Sequence, residues 1–390
     1  MILSFALILL IGYLFGQLAK LIKLPPLIGM MLAGILIGPS GLMWLDESTL
    51  SISGALRQIA LIIILMRAGL TLNVLQLKKV GRPALLMSFV PATMEIIGVT
   101  LLSTLLLNLS LIDGILLGTI LAAVSPAVVV PSMLKIMDQR YGTTQGIPQM
   151  ILAAASIDDI IVIVLFTSVL TIATGGTFNP ISLLHIPLQI GGGIAIGLLL
   201  GWAWFYLFER SSFQGIEQFI IVFSSCLLIV GLEHQFALPI SSLLAVMTSC
   251  MFLNYKKPQI TQSLSQKTES IWQVAQIFLF VLIGAAVEVT QMKHAGLLAL
   301  LVIIGALLFR MVGVWMSLMH TPFTTKERLF TMLAYTPKAT VQAAIGAIPL
   351  MSGVPSGALL LAVAVISILF TAPLGVILIE KTYTKLLAPF

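Results

Sequence analysis

Long apolar runs succeed one another along this chain, separated by short polar or basic clusters. A helix needs about 20 predominantly apolar residues to cross the hydrocarbon core of a bilayer. By that rule the pattern predicts thirteen transmembrane helices, near 2–19, 27–44, 54–73, 83–108, 112–136, 147–173, 183–207, 214–232, 238–254, 270–290, 294–319, 327–351 and 355–379. The expected fold class is an all-α membrane protein, because no polar block between the runs is large enough to fold separately. The first run lacks the basic start and the cleavage site of a secretory signal, so it reads as a retained helix.

Composition supports this picture. The 390 residues are 59% hydrophobic and 9% charged, whereas a soluble domain carries roughly a quarter charged residues. The formal net charge of +6 does not point to nucleic acid, because the basic residues lie in short connections between apolar runs. Alternate connections and the C-terminal tail carry fifteen of them: Lys20, Lys23, Lys78, Lys79, Arg82, Lys135, Arg140, Arg210, Lys256, Lys257, Lys267, Lys326, Arg328, Lys381 and Lys385. The opposite side has only Arg57 and Lys293. That asymmetry predicts a multi-pass protein of a cell (inner) membrane with its N-terminus outside and its C-terminus in the cytoplasm. The two cysteines, Cys226 and Cys250, both fall in apolar runs and give no sign of a disulfide framework or a cysteine metal site.

The apolar sequence also contains an internal repeat. LRQIALIIILMRAGL at 56–70 resembles IWQVAQIFLFVLIGA at 271–285, which sets Gln58 against Gln273, 215 positions apart. KLPPLIGMMLAG resembles ALPISSLLAVMT, with Pro25 answering Pro239, and AAVSPAVVVPSML resembles LAYTPKATVQAAI, with Pro126 answering Pro337. EIIG falls opposite RMVG, which sets Glu95 against Arg310, again 215 apart. Predicted helices 1–6 then match 8–13 with helix 7 as connector. An odd spacing of seven spans inverts one repeat relative to the other, as in secondary transporters with mid-membrane sites. Pro126 and Pro131 fall inside the fifth predicted span, and Pro337, Gly346 and Pro349 inside the twelfth. Prolines at such places kink ordinary packing helices. Their equivalent positions in the two repeats favour two unwound stretches that meet and expose carbonyls to a polar cavity.

Five charged residues lie deep within predicted spans: Glu95, Asp158, Asp159, Arg310 and Lys338. Charge there is costly and marks pathways or paired sites. As repeat mates, Glu95 and Arg310 are expected to form a buried ion pair that braces two helices. Lys338, just after Pro337, is expected to neutralise exposed carbonyls or to reach an aspartate. Arg67 is expected to snorkel towards an interface. Asp158 and Asp159, in SIDDIIVIVLF at 156–166, point about 100° apart on a helix and so cannot share one partner on one face. Burial disfavours a charged carboxylate and raises its proton affinity, while hard cations take oxygen ligands. One carboxylate can therefore hold a proton or a metal ion in turn, which is the chemistry of exchange.

SIDDIIVIVLF, SPAVVVPSML, MRAGL and especially TPKATVQAAIG resemble the monovalent cation:proton antiporter superfamily, and most closely its NHA-type sodium/proton antiporters. The likeness extends from LPPLIGMMLAGILIGP to the last span. It implies a homodimer in the bilayer. Residues 1–50 (helices 1–2) and 176–260 (connector and helices 7–9) would dimerise, and the core of 51–175 (helices 3–6) and 261–390 (helices 10–13) would move as an elevator. It maps the cation- and proton-binding aspartates onto Asp159, as principal ligand, and Asp158. The crossed helices map onto the regions of Ser125 and Pro337, with Ser125, Lys338 and Thr340 as their polar contacts. Many electrogenic relatives carry a lysine where Arg310 stands. An arginine stays protonated, so the resemblance implies one proton per cation and little net charge movement. No cofactor is implied, only the transported Na⁺ or Li⁺ and H⁺.

Exchange of K⁺ for H⁺ is the alternative within the same chemistry, since the residues select hard monovalent ions better than ion size. A passive channel fits less well, because channels gather charge in rings. An intramembrane aspartyl protease would draw one aspartate from each of two helices in a GxGD setting, and no GxGD occurs here. An enzyme is therefore not expected.

Overall fold

A computed structural model describes residues 1–22, 24–71, 74–175, 182–236, 238 and 240–389. Within these, the side chains at 74–80, 126, 127, 131, 138, 156, 160, 182–187, 189, 190, 234, 289 and 291–295 lie outside the description. Lys23 and Pro239 are outside it altogether, as are the side chains of Pro126, Pro131, Lys78, Lys79 and Lys293.

Every element among the described residues is helical. The first half contains α1 (Ile2–Leu21), α2 (Pro26–Ile37), α3 (Glu47–Ser51), α4 (Ser53–Thr71), α5 (Val74–Met87), α6 (Val90–Leu106), α7 (Leu111–Leu121), α8 (Pro126–Asp138) and α9 (Ile147–Thr174). The second contains α10 (Ser182–Arg210), α11 (Ile216–Phe236), α12 (Ser242–Lys256), α13 (Pro258–Ala285), α14 (Val289–Ser317), α15 (Thr325–Ala334), α16 (Thr340–Ile345), α17 (Ile348–Met351) and α18 (Gly357–Leu386). Among the described residues nine helical segments are long and apolar enough to cross a membrane. Four shorter apolar ones accompany them: Pro26–Ile37, Leu111–Leu121, Val128–Met137 and Thr340–Met351. Large apolar side chains such as Leu10, Leu105, Leu199 and Leu297 are exposed on these helices. That is the expected outer face of a protein whose solvent is lipid.

The expected spans shift in identifiable ways. The run near 27–44 ends as a helix at Ile37, because Gly38, Pro39, Ser40 and Gly41 turn the chain. The run near 270–290 belongs to a helix that begins twelve residues earlier, at Pro258 in its first turn, so a polar stretch read as a loop is helical. The run at 112–136 is two helices, α7 and α8, parted by residues 122–125, which are not helical. The run at 327–351 is three, with 336–339 unwound between α15 and α16. Arg57, expected in an outer connection, is instead buried within α4, where Nη2 donates to Met351 Sδ at 3.1 Å. Lys293, the other, lies within α14.

Side-chain caps start several elements. Ser110 Oγ accepts from Asp113 N at the start of α7, and Thr324 and Glu327 form a reciprocal capping box on α15. In the packed bundle α6 runs along α14, α10 along α12, and α13 lies against α1, α2 and α4. Close approach at α6–α14 depends on glycine. A Cβ on Gly98 would lie 2.6 Å from Phe309 Cγ, and one on Gly313 would lie 2.7 Å from Pro91 Cα. The C-terminal residues close over the end of α8: Gly142 N donates to Ala388 O at 2.9 Å, and Lys135 pairs with Glu380 at 2.7 Å.

Candidate functional site

The two unwound stretches lie against each other. Ser125 N donates to Pro337 O at 2.8 Å, Thr340 N donates to Ser125 Oγ at 3.4 Å, and the hydroxyls of Ser125 and Thr340 are 3.3 Å apart. Unwinding frees backbone groups that lipid cannot satisfy. The structure satisfies them with a small set of buried side chains. Gln342 Nε2 donates to Ala123 O at 2.8 Å and to Leu121 O at 3.3 Å, while its Oε1 accepts from Ala339 N at 2.9 Å. One glutamine thus serves both broken helices.

Arg310 does more than pair with Glu95. Its Nε donates to Tyr335 O at 2.6 Å, at the C-terminal end of α15, and its Nη1 donates to Ala122 O, at the C-terminal end of α7. Helix C-termini carry partial negative charge and unsatisfied carbonyls. A guanidinium, planar and always charged, can answer two of them at once. Nη1 also donates to Glu95 Oε2 at 2.6 Å, and Nη2 donates to Asp158 Oδ2 at 2.9 Å. The expected Glu95–Arg310 contact is therefore present, but as part of a larger network. Asp158 Oδ2 also accepts from Val124 N at 2.9 Å, ahead of the positive N-terminal end of α8.

Lys338 departs from expectation. Among the described residues its Nζ donates to Glu95 Oε2 at 2.5 Å, not to a carbonyl or an aspartate. Glu95 thus holds two cations on one oxygen. Arg67 does not snorkel alone either, because its Nε pairs with Glu269 Oε2 at 2.6 Å. The buried cluster of Glu95, Asp158, Asp159, Arg310 and Lys338 is between 0% and 8% exposed throughout. With every group ionised, three carboxylates face two cations, which leaves one net negative charge.

Asp158 and Asp159 diverge as their helical spacing requires. Asp158 Oδ2 is bonded by Arg310 and Val124, and neither of these hydrogen bonds involves Asp159. Each keeps a buried Oδ1 with no hydrogen-bond partner among the described atoms. A buried polar atom without a partner is rare in native structures, and two on adjacent carboxylates leave room for an ion or a proton. Among the described residues no cluster of three or more His, Cys, Asp or Glu could hold a metal. An ion held here would complete its ligands from hydroxyl, carbonyl or water oxygens.

Three residues of this crossing escaped the sequence reading. Gln342 occupies the third helical position of α16, where a glutamine reaches back to the N-cap N–H, and that spacing was the available signal. Thr371 Oγ1 accepts from Lys338 N at 2.9 Å; a single threonine in an apolar run carries no signal of its own. Tyr335, fully buried with its ring 4.8 Å from Arg310 Cζ, had none beyond its place beside Pro337.

Comparison with known proteins follows the same lines. The family described as "Sodium/hydrogen exchanger, transmembrane" matches residues 6–383. The chain is 35% identical to "Sodium/hydrogen exchanger 9B2" of Xenopus tropicalis over 394 residues, covering 95% of this chain and 72% of that protein. It is 30% identical to "Sodium/hydrogen exchanger 9B1" of Homo sapiens, covering 95% of this chain and 75% of that one. The structure of the sodium proton antiporter MjNhaP1 from Methanocaldococcus jannaschii at pH 8 superposes with a TM-score of 0.84 at 22% identity, over 98% of this chain and 97% of that one. The last likeness is one of fold.

Proposed function

The chain belongs to the sodium/hydrogen exchanger family, and from that premise we propose that it exchanges Na⁺ or Li⁺ for H⁺, with both ions competing for Asp159 and Asp158. The observation that carries this reading is the pair of buried, unpartnered Oδ1 atoms on adjacent carboxylates. An ionised carboxylate in that position is poorly solvated. A cation or a proton relieves it, and the two cannot occupy the same oxygen together.

The charge balance supports a stoichiometry. With one net negative charge in the closed cluster, either one Na⁺ or one H⁺ brings it to zero. Two protons would leave it positive. Arg310 stays charged and is held by four acceptors, so it is poorly suited to carry the proton. The exchange is therefore one for one and electroneutral.

The architecture belongs to the same proposal. Thirteen membrane passes form two inverted repeats, with the N-terminus outside and the C-terminus in the cytoplasm. Glu95 and Arg310, mates in the repeat, meet in the structure, which supports it. The neutralising charges all lie in 51–175 and 261–390, so these segments can carry the ion as a core unit, elevator fashion. Residues 1–50 and 176–260 form the dimerisation unit of a homodimer. The α2–α13 seam between the units is lined by Gly34 and Gly284, whose missing side chains bring backbone against backbone.

Proteoliposomes test this directly. An imposed Na⁺ gradient should change internal pH, unaffected by membrane voltage, and Asp159→Asn should abolish the change. Because cation affinity requires a deprotonated ligand, the apparent KM for Na⁺ should rise about tenfold per pH unit on the acid side. Proton flux that survives intact in Asp159→Asn would refute the site. Equal flux with K⁺ replacing Na⁺ would favour the potassium reading.

A further inference from the structure

Tyr335 sits at the C-terminal end of α15 with its side chain fully buried. Its carbonyl accepts from Arg310 Nε, and its ring lies beside the guanidinium. A phenylalanine would perform both tasks, since the first is a backbone contact and the second requires only an aromatic face. Yet the hydroxyl is buried with no hydrogen-bond partner among the described atoms. Leaving a buried polar group unpaired is costly, and Tyr335 belongs to an apolar core cluster with Val124, Ile151, Ala155, Val314 and Phe330. Arg310, 4.8 Å from the ring, bonds Asp158 Oδ2 through Nη2, and Asp159 follows Asp158 on α9. Those two aspartates hold the two idle carboxylate oxygens.

Three idle oxygens therefore belong to one buried neighbourhood, and one of them can donate as well as accept. We propose that Tyr335 is a positioning residue for the transported cation. A water that completes the ion's coordination bridges the two, donating one hydrogen bond to the Tyr335 hydroxyl oxygen and one to an aspartate Oδ1. The chemistry is consistent: a cation-bound water donates hydrogen bonds, carboxylates accept them, and a phenol does both. This inference rests on the reading of Asp159 and Asp158 as the cation site.

The test uses the purified full chain, with Na⁺-dependent thermal stabilisation in detergent and exchange in proteoliposomes. Tyr335→Phe should raise both the Na⁺ midpoint of stabilisation and the KM for Na⁺ about tenfold, the scale of one hydrogen bond, with kcat little changed. The Na⁺-free protein should be at least as stable as the parent, because an idle buried hydroxyl has gone. Tyr335→Met, which lacks both hydroxyl and ring, should show a Na⁺ midpoint raised to the same extent. An unchanged Na⁺ midpoint in Tyr335→Phe overturns the proposal, as does a shift in Tyr335→Met alone, which would assign the effect to the ring. Asp159→Asn separates the two levels. If it loses Na⁺-dependent stabilisation while Tyr335→Phe keeps the parent's midpoint, only the tyrosine assignment fails. If Asp159→Asn keeps that stabilisation, both readings fall together.

Discussion

The two broken helices solve one problem with different chemistry. In the first half, Val124 N–H, freed by unwinding, donates to the carboxylate of Asp158 on α9. In the second half, Lys338 N–H donates to the hydroxyl of Thr371 on α18. The helix ends before the two breaks are answered alike, Ala122 O and Tyr335 O both accepting from Arg310. The next residue is Asp159 on one side and Ala372 on the other. A neutral hydroxyl is therefore enough to satisfy an unwound backbone at this depth. The negative charge of the first half is not a requirement of the fold, and its cost in a buried site calls for a functional account.

Making the first half like the second is the strongest way to break this comparison. Asp158→Thr keeps an acceptor for Val124 and leaves Arg310 with Glu95, while the cluster becomes neutral without an ion. The variant should fold, and its exchange in proteoliposomes should fall by about a hundredfold, the scale of a lost charged hydrogen bond. Exchange near the parent rate would show that the two halves differ for some other reason. The reciprocal change is milder. Thr371→Val leaves a buried N–H unpaired and should lower unfolding stability by about 1–3 kcal/mol, measured by thermal denaturation, with exchange kept within a few-fold. If it lost as much exchange as Asp158→Thr, the functional asymmetry would disappear. The smallest effect belongs outside both crossings. Arg67 and Glu269 pair with side chains 38% and 41% exposed, so Glu269→Gln should change stability by less than about 1 kcal/mol.

Different parts of this arrangement were visible in the sequence to different degrees. The breaks themselves were legible, because proline removes a donor wherever it stands and its effect is local. The meeting of Glu95 with Arg310 was legible only by reading EIIG and RMVG, 215 positions apart, as mates in a repeat. The partner of Lys338 was not. In a stretch without helical periodicity the direction of a side chain cannot be read from spacing, and among the described residues the hydrogen bond of Lys338 Nζ goes to Glu95 instead. Thr371 was invisible for a related reason: the threonine in ISILFTAPLG looks like any membrane threonine that bonds its own helix. The start of α13 was missed because the polar sequence TQSLSQKTES resembles a loop by hydropathy, although it continues the helix beyond the apolar part.

What the amino-acid sequence determined alone is the solvent of this protein and the chain's passage through it. Burying about 20 apolar residues in lipid and satisfying the backbone within one helix are local requirements, satisfied residue by residue along the chain. What the tertiary structure decided is the distribution of charge: one guanidinium across two helix ends, two cations on one glutamate oxygen, and two aspartate oxygens left without partners among the described atoms. Those assignments depend on which groups converge from five distant segments in a medium where an unpaired charge is prohibitive. No single segment contains that information.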